Sequence, residues 1–239
     1  MASRPRHPRP GISRRAVGKL LAQGVLGLTA LGAGTRAADA NGGLMGSIEF
    51  RAGSLNGIPA WQRVVGKLRE EAKIVAACDA DVSKCGSPRV IAWRAKVRSL
   101  EGLPLISQMR ELNLFLNHIV PYLTDDENFG QEDYWTTPLE FLRHSGDCED
   151  YAIIKFVSLL ELGVKNEQMR IVVVMDTLRN LPHALLSVEA ENETYLLDSL
   201  IDVVLTDDQV LPYVPQYSVN LTDRWAHVPA NAGALLPAN

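Results

Sequence analysis

A cysteine flanked by carboxylates is the feature of this sequence with the clearest chemical potential. It lies in the stretch Gly146–Tyr151, directly before a run whose apolar residues recur at helical spacing as far as Gly163. Asp147 is predicted to cap this helix with Asp150 as its reciprocal partner, which places Cys148 at the first helical position. The helix dipole favours a thiolate there, and the thiolate is the reactive form of cysteine.

The neighbouring carboxylates oppose that ionisation. Negative charge on Asp147, Glu149 and Asp150 raises the pKa of a nearby thiol, so something should neutralise them. A hard cation with oxygen ligands would do so, and calcium is the natural choice outside the cytoplasm. The alternative interpretation is an ordinary capped helix that happens to begin with a small, buried cysteine.

A histidine and an aspartate further along the chain could complete a nucleophilic site with this thiol. Two strand-like runs are joined by a polar turn near residues 190–192. In such an antiparallel pair, opposite residues have positions that sum to a nearly constant value, so His183 falls within cross-strand reach of Asp198. Cys148, His183 and Asp198 then supply a nucleophile, a base and an orienting carboxylate. Alternatively, the histidine and aspartate are a strand-edge residue and a strand-end cap, and His227 competes as the base.

Helices are predicted to precede strands in the chain that follows the N-terminal segment. The predicted helices cover residues 60–77, 90–100, 103–122 and the run after Cys148, with a further helix start at Thr137-Pro138. Residues 124–131 are predicted as a polar loop. The predicted strands cover residues 170–175, 183–190 and 194–200, with one more in 201–205 or 213–219. This order predicts an α+β domain built on an antiparallel sheet.

The first forty residues are predicted to be an export signal. Five arginines precede an apolar stretch over residues 20–31, and Ala38-Asp39-Ala40 predicts cleavage before Asn41. The apolar stretch is shorter than the roughly 20 residues of a membrane-spanning helix. Ser13-Arg14-Arg15 resembles a twin-arginine signal, with general secretion or an uncleaved anchor as alternatives. We therefore expect the mature chain in a periplasmic compartment, where calcium and disulfides are available.

Composition and length bound the remaining possibilities. The predicted organisation is a signal peptide over 1–40, a flexible lead-in over 41–58, a single domain over 59–230 and a C-terminal tail over 231–239. The formal net charge is −4, and no basic stripe interleaved with aromatic residues is present, so nothing indicates a nucleic-acid surface.

Three cysteines leave one thiol unpaired. Cys78 and Cys85 bracket a polar, turn-like segment, so in an oxidising compartment we expect them to form a disulfide and leave Cys148 free. The alternatives are two reduced thiols or half of a metal site, although no histidine or further cysteine lies nearby in the sequence.

The chain resembles the bacterial transglutaminase-like cysteine proteinases, the LapG type of periplasmic protease. The resemblance covers roughly residues 61–225 and includes the whole motif around Cys148. The other matching positions are Asn113 with Asn117, Pro121-Tyr122 with Asp125, Asp133-Tyr134-Trp135, Thr137–Glu140, Leu162–Val164, Arg170-Ile171, His183 and Leu197-Asp198.

This resemblance implies a fold and a reaction. The fold would be a papain-like, transglutaminase-type α+β domain with N-terminal helices followed by an antiparallel sheet. The reaction would be peptide-bond hydrolysis through a thioester, with Cys148 attacking, His183 carrying the proton and Asp198 orienting the imidazole. The chain departs from the family at Ser199, where we expect asparagine, and at Ala184, where methionine is common.

The resemblance also implies a cofactor, a substrate and a regulator. Calcium would bind beside the cysteine, at Asp147, Glu149 and Asp150. The substrate would be a large surface adhesin, cut near its N-terminus so that it is released and the biofilm disperses. The regulatory partner would be an inner-membrane receptor that senses cyclic di-GMP.

Two other functions fit the same residues. Acyl transfer to an amine, as in a transglutaminase, shares the acyl-enzyme and differs only in what resolves it. A non-catalytic, calcium-binding adaptor on the same fold would keep the residues without turnover. An unusually reactive Cys148 would separate an enzyme from an adaptor.

Overall fold

The structure, a computed structural model, describes residues 43–210 and 212–230. Its α-helices are α1 (Pro59–Ala80), α2 (Pro88–Ser99), α3 (Leu105–Leu116), α4 (Asp125–Phe129), α5 (Pro138–Arg143) and α6 (Cys148–Glu161). Its strands are β1 (Ser47–Ala52), β2 (Met169–Asp176), β3 (Leu181–Ala190), β4 (Glu193–Leu197), β5 (Leu205–Thr206), β6 (Tyr213–Val219) and β7 (Arg224–Pro229). No helix in the described ranges is both long enough and apolar enough to cross a membrane.

The strands form one antiparallel sheet in the order β1-β7-β6-β2-β3-β4-β5. The predicted α+β class, with helices preceding an antiparallel sheet, is thereby confirmed. The central pair β2 and β3 is long, and its register sets Val174 opposite His183. Because β2 and β3 are central, the positions of their residues are fixed by a neighbouring strand on each side.

Helix α6 lies against the centre of this sheet. It packs on β3 and β2 from one face, while α3 and α5 cover its other sides. Ile153, Ile154, Phe156 and Leu159 are therefore completely buried, which explains why the helix is apolar nearly all round. A smaller core that includes Val172 covers the opposite face of the sheet, so β2 is buried on both faces. The N-terminus of α6 is thus held by a rigid frame.

The disulfide predicted between Cys78 and Cys85 is present. Cys78 lies in the last turns of α1, and Cys85 precedes α2, which begins at Pro88 with Ser87 as its N-cap. The cross-link therefore fixes the connection between the first two helices. Cys148 is left as the free cysteine, as predicted.

Several segments differ from the sequence-based expectations. Residues 47–52, expected in a loose lead-in, form edge strand β1, which pairs with the unpredicted strand β7. Residues 124–131, expected to be a loop, contain α4, which Thr124 and Glu127 cap reciprocally. Helix α3 ends at Leu116 rather than continuing to residue 122, where the approaching Pro121 disfavours helical backbone.

Part of the predicted organisation lies outside the described residues. This applies to the signal peptide over 1–40, to residues 41 and 42 of the lead-in and to the C-terminal tail over 231–239. The limits of the domain over 59–230 stay a prediction.

Candidate active site

The start of α6 is built by a tight set of backbone contacts. Asp147 occupies the N-cap position, and its backbone N–H donates to Asp150 Oδ2 over 3.2 Å, as the reciprocal capping pattern predicts. Asp150 Oδ1 accepts the N–H of Thr136 at 2.6 Å, which ties the helix to the segment before α5. A Cβ at Gly146 would lie 2.1 Å from Asp150 Oδ2, so only glycine fits there. Cys148 is the first helical residue, as predicted.

The Cys148 thiol lies in a buried and negatively charged environment. It is 8% exposed, and its Sγ donates to Glu149 Oε2 at 3.1 Å. Burial raises the pKa of the thiol to about 12 and the charge of Asp147 adds to this effect, whereas Glu149 and the backbone N–H of Ala184 lower it. The contact with Ala184 also brings the sulfur to β3, beside His183.

His183 and Asp198 form a buried hydrogen-bonded pair. His183 Nε2 lies 2.8 Å from Asp198 Oδ1, and both side chains are at most 5% exposed. The hairpin turns at Glu191 and Asn192, both with positive φ, and its register pairs Leu186 with Leu197. The cross-strand reach predicted from the turn position is confirmed.

Asp198 has two further partners that hold its carboxylate. Tyr213 Oη donates to Oδ2 at 2.6 Å, and the N–H of Leu200 donates to Oδ1 at 2.8 Å. Burial alone would raise the pKa of Asp198, but His183, Tyr213 and Leu200 together lower it to about 2. Asp198 therefore stays ionised at neutral pH. Tyr213 is a functional neighbour that the sequence analysis missed, since it lies on β6, two strands from β3.

Cys148 and His183 line the same cleft. Its walls are aromatic, formed by Tyr122, Trp135 and Tyr217, with the acidic Asp133 at one side. An apolar cleft with a few convergent polar groups is the usual form of a binding site. The structure thus brings together a thiol, an imidazole and a carboxylate in the predicted combination.

The alternative base, His227, has a different environment. Its Nδ1 lies 2.8 Å from Ser47 Oγ and its Nε2 lies 2.8 Å from Ser218 Oγ, inside the β1, β7 and β6 edge of the sheet. Both ring nitrogens are therefore occupied, and burial lowers the pKa of His227 to about 4. His227 stabilises the sheet edge.

A cluster of carboxylates surrounds the N-terminus of α6. Asp147, Glu149 and Asp150, the three predicted metal ligands, lie with Asp125 and Asp133 in overlapping groups whose candidate ligand atoms are within 4.8 Å of one another. Burial raises the pKa of all five carboxyls, and repulsion from neighbouring carboxylates adds to this effect at Asp125, Asp147, Glu149 and Asp150.

Two carboxylate oxygens of this cluster lack the hydrogen bonds that buried oxygens normally make. Asp125 Oδ1 and Asp147 Oδ1 are buried without a hydrogen-bond partner in the described part of the chain. Oxygen-only donors with excess negative charge suit a hard divalent cation such as calcium. Both oxygens of Asp150 accept backbone N–H groups, so this residue also shapes the site. Asp125 and Asp133 were matched by resemblance, but no pattern in the sequence gave them a role.

Comparisons with known proteins agree with this arrangement. The profile of a family described as bacterial transglutaminase-like cysteine proteinase matches residues 73–232. The chain belongs to this family. A search of curated proteins finds no match.

Solved structures of LapG from Legionella pneumophila are similar to the chain. The calcium-bound form is 36% identical, over 55% of this chain and 74% of that one, with a TM-score of 0.50. A second LapG structure is 32% identical over 65% and 84% of the respective chains, with a TM-score of 0.55. An EGTA-treated form is 32% identical over 69% and 87%, with a TM-score of 0.56. The transglutaminase-like proteinase fold expected from the resemblance is thereby confirmed.

Proposed function

We propose that this protein is a calcium-dependent cysteine endopeptidase in which Cys148 attacks the substrate, His183 transfers the proton and Asp198 orients the imidazole. The observation that carries the proposal is the shared cleft, which is lined by the free thiol and by His183, the hydrogen-bond partner of Asp198. Membership of a cysteine proteinase family supports the reaction class.

The proton path follows from the ring nitrogens of His183. Asp198 accepts the Nε2–H, so Nδ1 is the nitrogen available to take the proton from the Cys148 thiol. The thiolate then adds to the scissile carbonyl, and the protonated imidazole donates its proton to the departing amine. A water molecule, deprotonated by His183, hydrolyses the thioester and releases the free thiol.

The oxyanion that forms during both steps needs hydrogen-bond donors. The backbone N–H of Cys148 belongs to the first turn of α6, where N–H groups have no intrahelical acceptor. Directed at the carbonyl oxygen, this group and the helix dipole stabilise developing negative charge.

We assign the calcium site to the carboxylates around the N-terminus of α6. Asp147, Glu149, Asp125 and Asp133 supply oxygen donors, and Asp150 holds the helix start in place. When bound, the cation would neutralise the charge that opposes thiolate formation. LapG of Legionella pneumophila has been obtained in calcium-bound and EGTA-treated forms, which supports calcium as the ion.

We further propose export to a periplasmic compartment and a large surface adhesin as the substrate, cut near its N-terminus to promote biofilm dispersal. The Cys78–Cys85 disulfide supports an oxidising location. The adhesin, and an inner-membrane cyclic di-GMP receptor as regulator, are supported by the resemblance to LapG-type proteases.

The first experiment measures alkylation of Cys148 by iodoacetamide, with calcium and with a chelator. Fast labelling that falls on chelation and in His183→Ala would support a calcium-dependent Cys–His nucleophile. Slow labelling that neither change affects would contradict it and favour the adaptor. A Cys148→Ala variant shows that the label reports this thiol.

The second experiment identifies the reaction. Surface proteins of the source organism are incubated with the mature chain or Cys148→Ala, and newly formed N-termini are identified by mass spectrometry. New N-termini that require Cys148 and calcium would support proteolysis. Incorporation of a primary-amine probe without new N-termini would support a transglutaminase instead.

A further inference from the structure

Lys155 is a buried basic residue that the catalytic steps do not use. Its side chain is completely buried within α6, and its Nζ has no hydrogen-bond acceptor among the described residues. The ring of Tyr151 lies 6.0 Å from Nζ. Burial of an amino group without an acceptor is unfavourable, so such a group usually has a specific role.

The position of Lys155 on α6 relates it to the nucleophile. Cys148, Tyr151 and Lys155 are spaced by three and four residues, so they lie on one face of the helix. Seven residues correspond to about 10 Å along the axis. Of the charges acting on Lys155, that of Asp198 is the largest and that of Asp202 follows. These charges place the amino group in the neighbourhood of the turn of residues 198–202, which begins with Asp198. The geometry agrees, because α3, which holds this turn, also packs against α6.

This turn is held from α3 by two amide side chains. Asn113 Nδ2 donates to the carbonyl oxygens of Ile201 and Asp202, at 2.8 and 3.0 Å. Asn117 Nδ2 donates to the carbonyl oxygen of Asp198 at 3.0 Å. The donors of both amides are thereby used on the backbone of the turn.

Three buried side-chain oxygens in the same region have no donor among the residues that the structure describes. Asn113 Oδ1, Asn117 Oδ1 and Ser199 Oγ are buried, and none has a hydrogen-bond partner in the described part of the chain. An amino group provides up to three donors and no acceptor when protonated. Within the described ranges, a buried donor without an acceptor on α6 thus accompanies buried acceptors without donors on α3 and in the turn that α3 holds.

We propose that Lys155 is a positioning residue: its amino group is linked through water to the turn of residues 198–202, and thereby fixes the Asp198 carboxylate against His183. The inference rests on the proposed function of that pair. It gives α6 two tasks, since the helix carries the nucleophile at its first residue and secures the orienting carboxylate two turns later.

The test compares Lys155→Met with wild type in the full mature chain with calcium. Methionine keeps the apolar length and removes the donors. We expect the alkylation rate constant of Cys148 to fall about 10-fold or more, because misplaced catalytic groups lose reactivity steeply. We also expect the low-field proton resonance of His183 Nε2–H, identified by its loss in Asp198→Asn, to shift or broaden. The melting temperature should not fall, because a buried amino group, whose desolvation is unfavourable, has been replaced by an apolar group.

Two further sets of variants separate this role from general packing. Ser158→Ala removes a buried hydroxyl of α6 that accepts the indole N–H of Trp93 rather than contacting the turn, and it should leave the resonance unchanged. Lys155→Arg or Lys155→Gln, which retain N–H donors, should recover part of the rate. Wild-type alkylation and an unchanged resonance in Lys155→Met would overturn the inference, as would failure of both donor variants.

The resonance does not depend on any substrate. If the wild-type chain cleaves no protein, the proposed function fails while the effect of Lys155 on the His183–Asp198 pair is still measured. If cleavage occurs but Lys155→Met leaves the His183 Nε2–H resonance unchanged, only the positioning role fails.

Discussion

His183 Nε2 and Asp198 Oδ1 lie 2.8 Å apart at the open end of a hairpin, and this contact selects which imidazole nitrogen carries the proton. Asp198 is deprotonated at neutral pH because its three donors lower its pKa to about 2. The carboxylate therefore keeps the proton on Nε2 and leaves Nδ1 unprotonated, as the proposed mechanism requires of the base. The relative positions of these two residues depend on the turn at Glu191 and Asn192 and on the hydroxyl of Tyr213.

Replacing Asp198 by asparagine should abolish most of this selection. An amide that turns its NH₂ group towards Nε2 favours the wrong tautomer, so we expect kcat to fall about 100-fold or more with little change in KM. Kinetics on a substrate found by the N-terminal mapping would test this. Asp208→Asn, on the exposed surface, is the matched control and should behave as wild type. An Asp198→Asn variant with unchanged kcat would remove the aspartate from the mechanism.

The carboxylate cluster makes a second prediction through a pair of adjacent residues. Asp125 is buried in the cluster, whereas Asp126 is exposed on the same helix. Asp125→Asn should weaken calcium binding by about 10- to 100-fold, because it removes a charge and weakens a donor close to the ion. Asp126→Asn should leave it unchanged. Isothermal titration calorimetry with calcium measures both, and equal affinities for the two variants would exclude Asp125 as a ligand.

The disulfide supplies a prediction about stability rather than chemistry. Cys78 and Cys85 are seven residues apart, so the closed loop is short and the expected contribution is about 2–3 kcal/mol. Replacing both by serine should lower the free energy of unfolding in urea by that amount. Alkylation of Cys148 should be unaffected, since the cross-link joins α1 and α2 rather than the cleft. A slower alkylation rate would show that the disulfide supports the site itself.

The grouping of Cys148, His183 and Asp198 could be predicted because its signals are local. The Asp147 cap, Gly146 and the helical spacing after Cys148 are all found in one short stretch of sequence. The His183–Asp198 contact follows from one hairpin. Each signal depends on residues that are neighbours in the sequence or paired across a single turn. Such contacts are fixed by backbone geometry, which the sequence pattern reports directly.

Tyr213, Asp125 and Lys155 could not be assigned in this way. Tyr213 meets Asp198 because β6 is placed in the sheet next to β2, and Asp125 lies close to Glu149 because tertiary folding brings the start of α4 to the N-terminus of α6. Lys155 is a polar residue in a run of helical spacing, and its burial follows only from the packing of other elements around α6. These contacts depend on tertiary packing, and edge strand β1 was missed for the same reason.

Lys155 gives the last prediction, which concerns the pH dependence of stability. Burial lowers its pKa to about 7 in the folded protein, against an unfolded value of 10.5, although the charges of Asp198 and Asp202 act in the opposite direction. Between these values the unfolded chain binds one proton more than the folded one, so this residue makes stability rise with pH across that window. Lys155→Met lacks the titration. The variant should therefore exceed wild type by a few kcal/mol at pH 7, and the difference should shrink as the pH approaches 10.

Urea unfolding of both proteins at pH 7, 8, 9 and 10 measures this difference in unfolding free energy. Both chains share the other titrating groups, so the contributions of those groups cancel in the difference. Lys165→Met is the matched control, since the Lys165 side chain is exposed and its removal should produce no such trend. The difference in unfolding free energy between Lys155→Met and wild type could instead be independent of pH. This result would mean that the pKa of Lys155 is not lowered in the folded protein, because its amino group has stronger partners than Tyr151 and the turn of residues 198–202. The difference in unfolding free energy could instead decrease towards pH 10, together with an altered His183 resonance. This result would show that burial of the Lys155 amino group lowers the stability of the protein while it holds Asp198 in place.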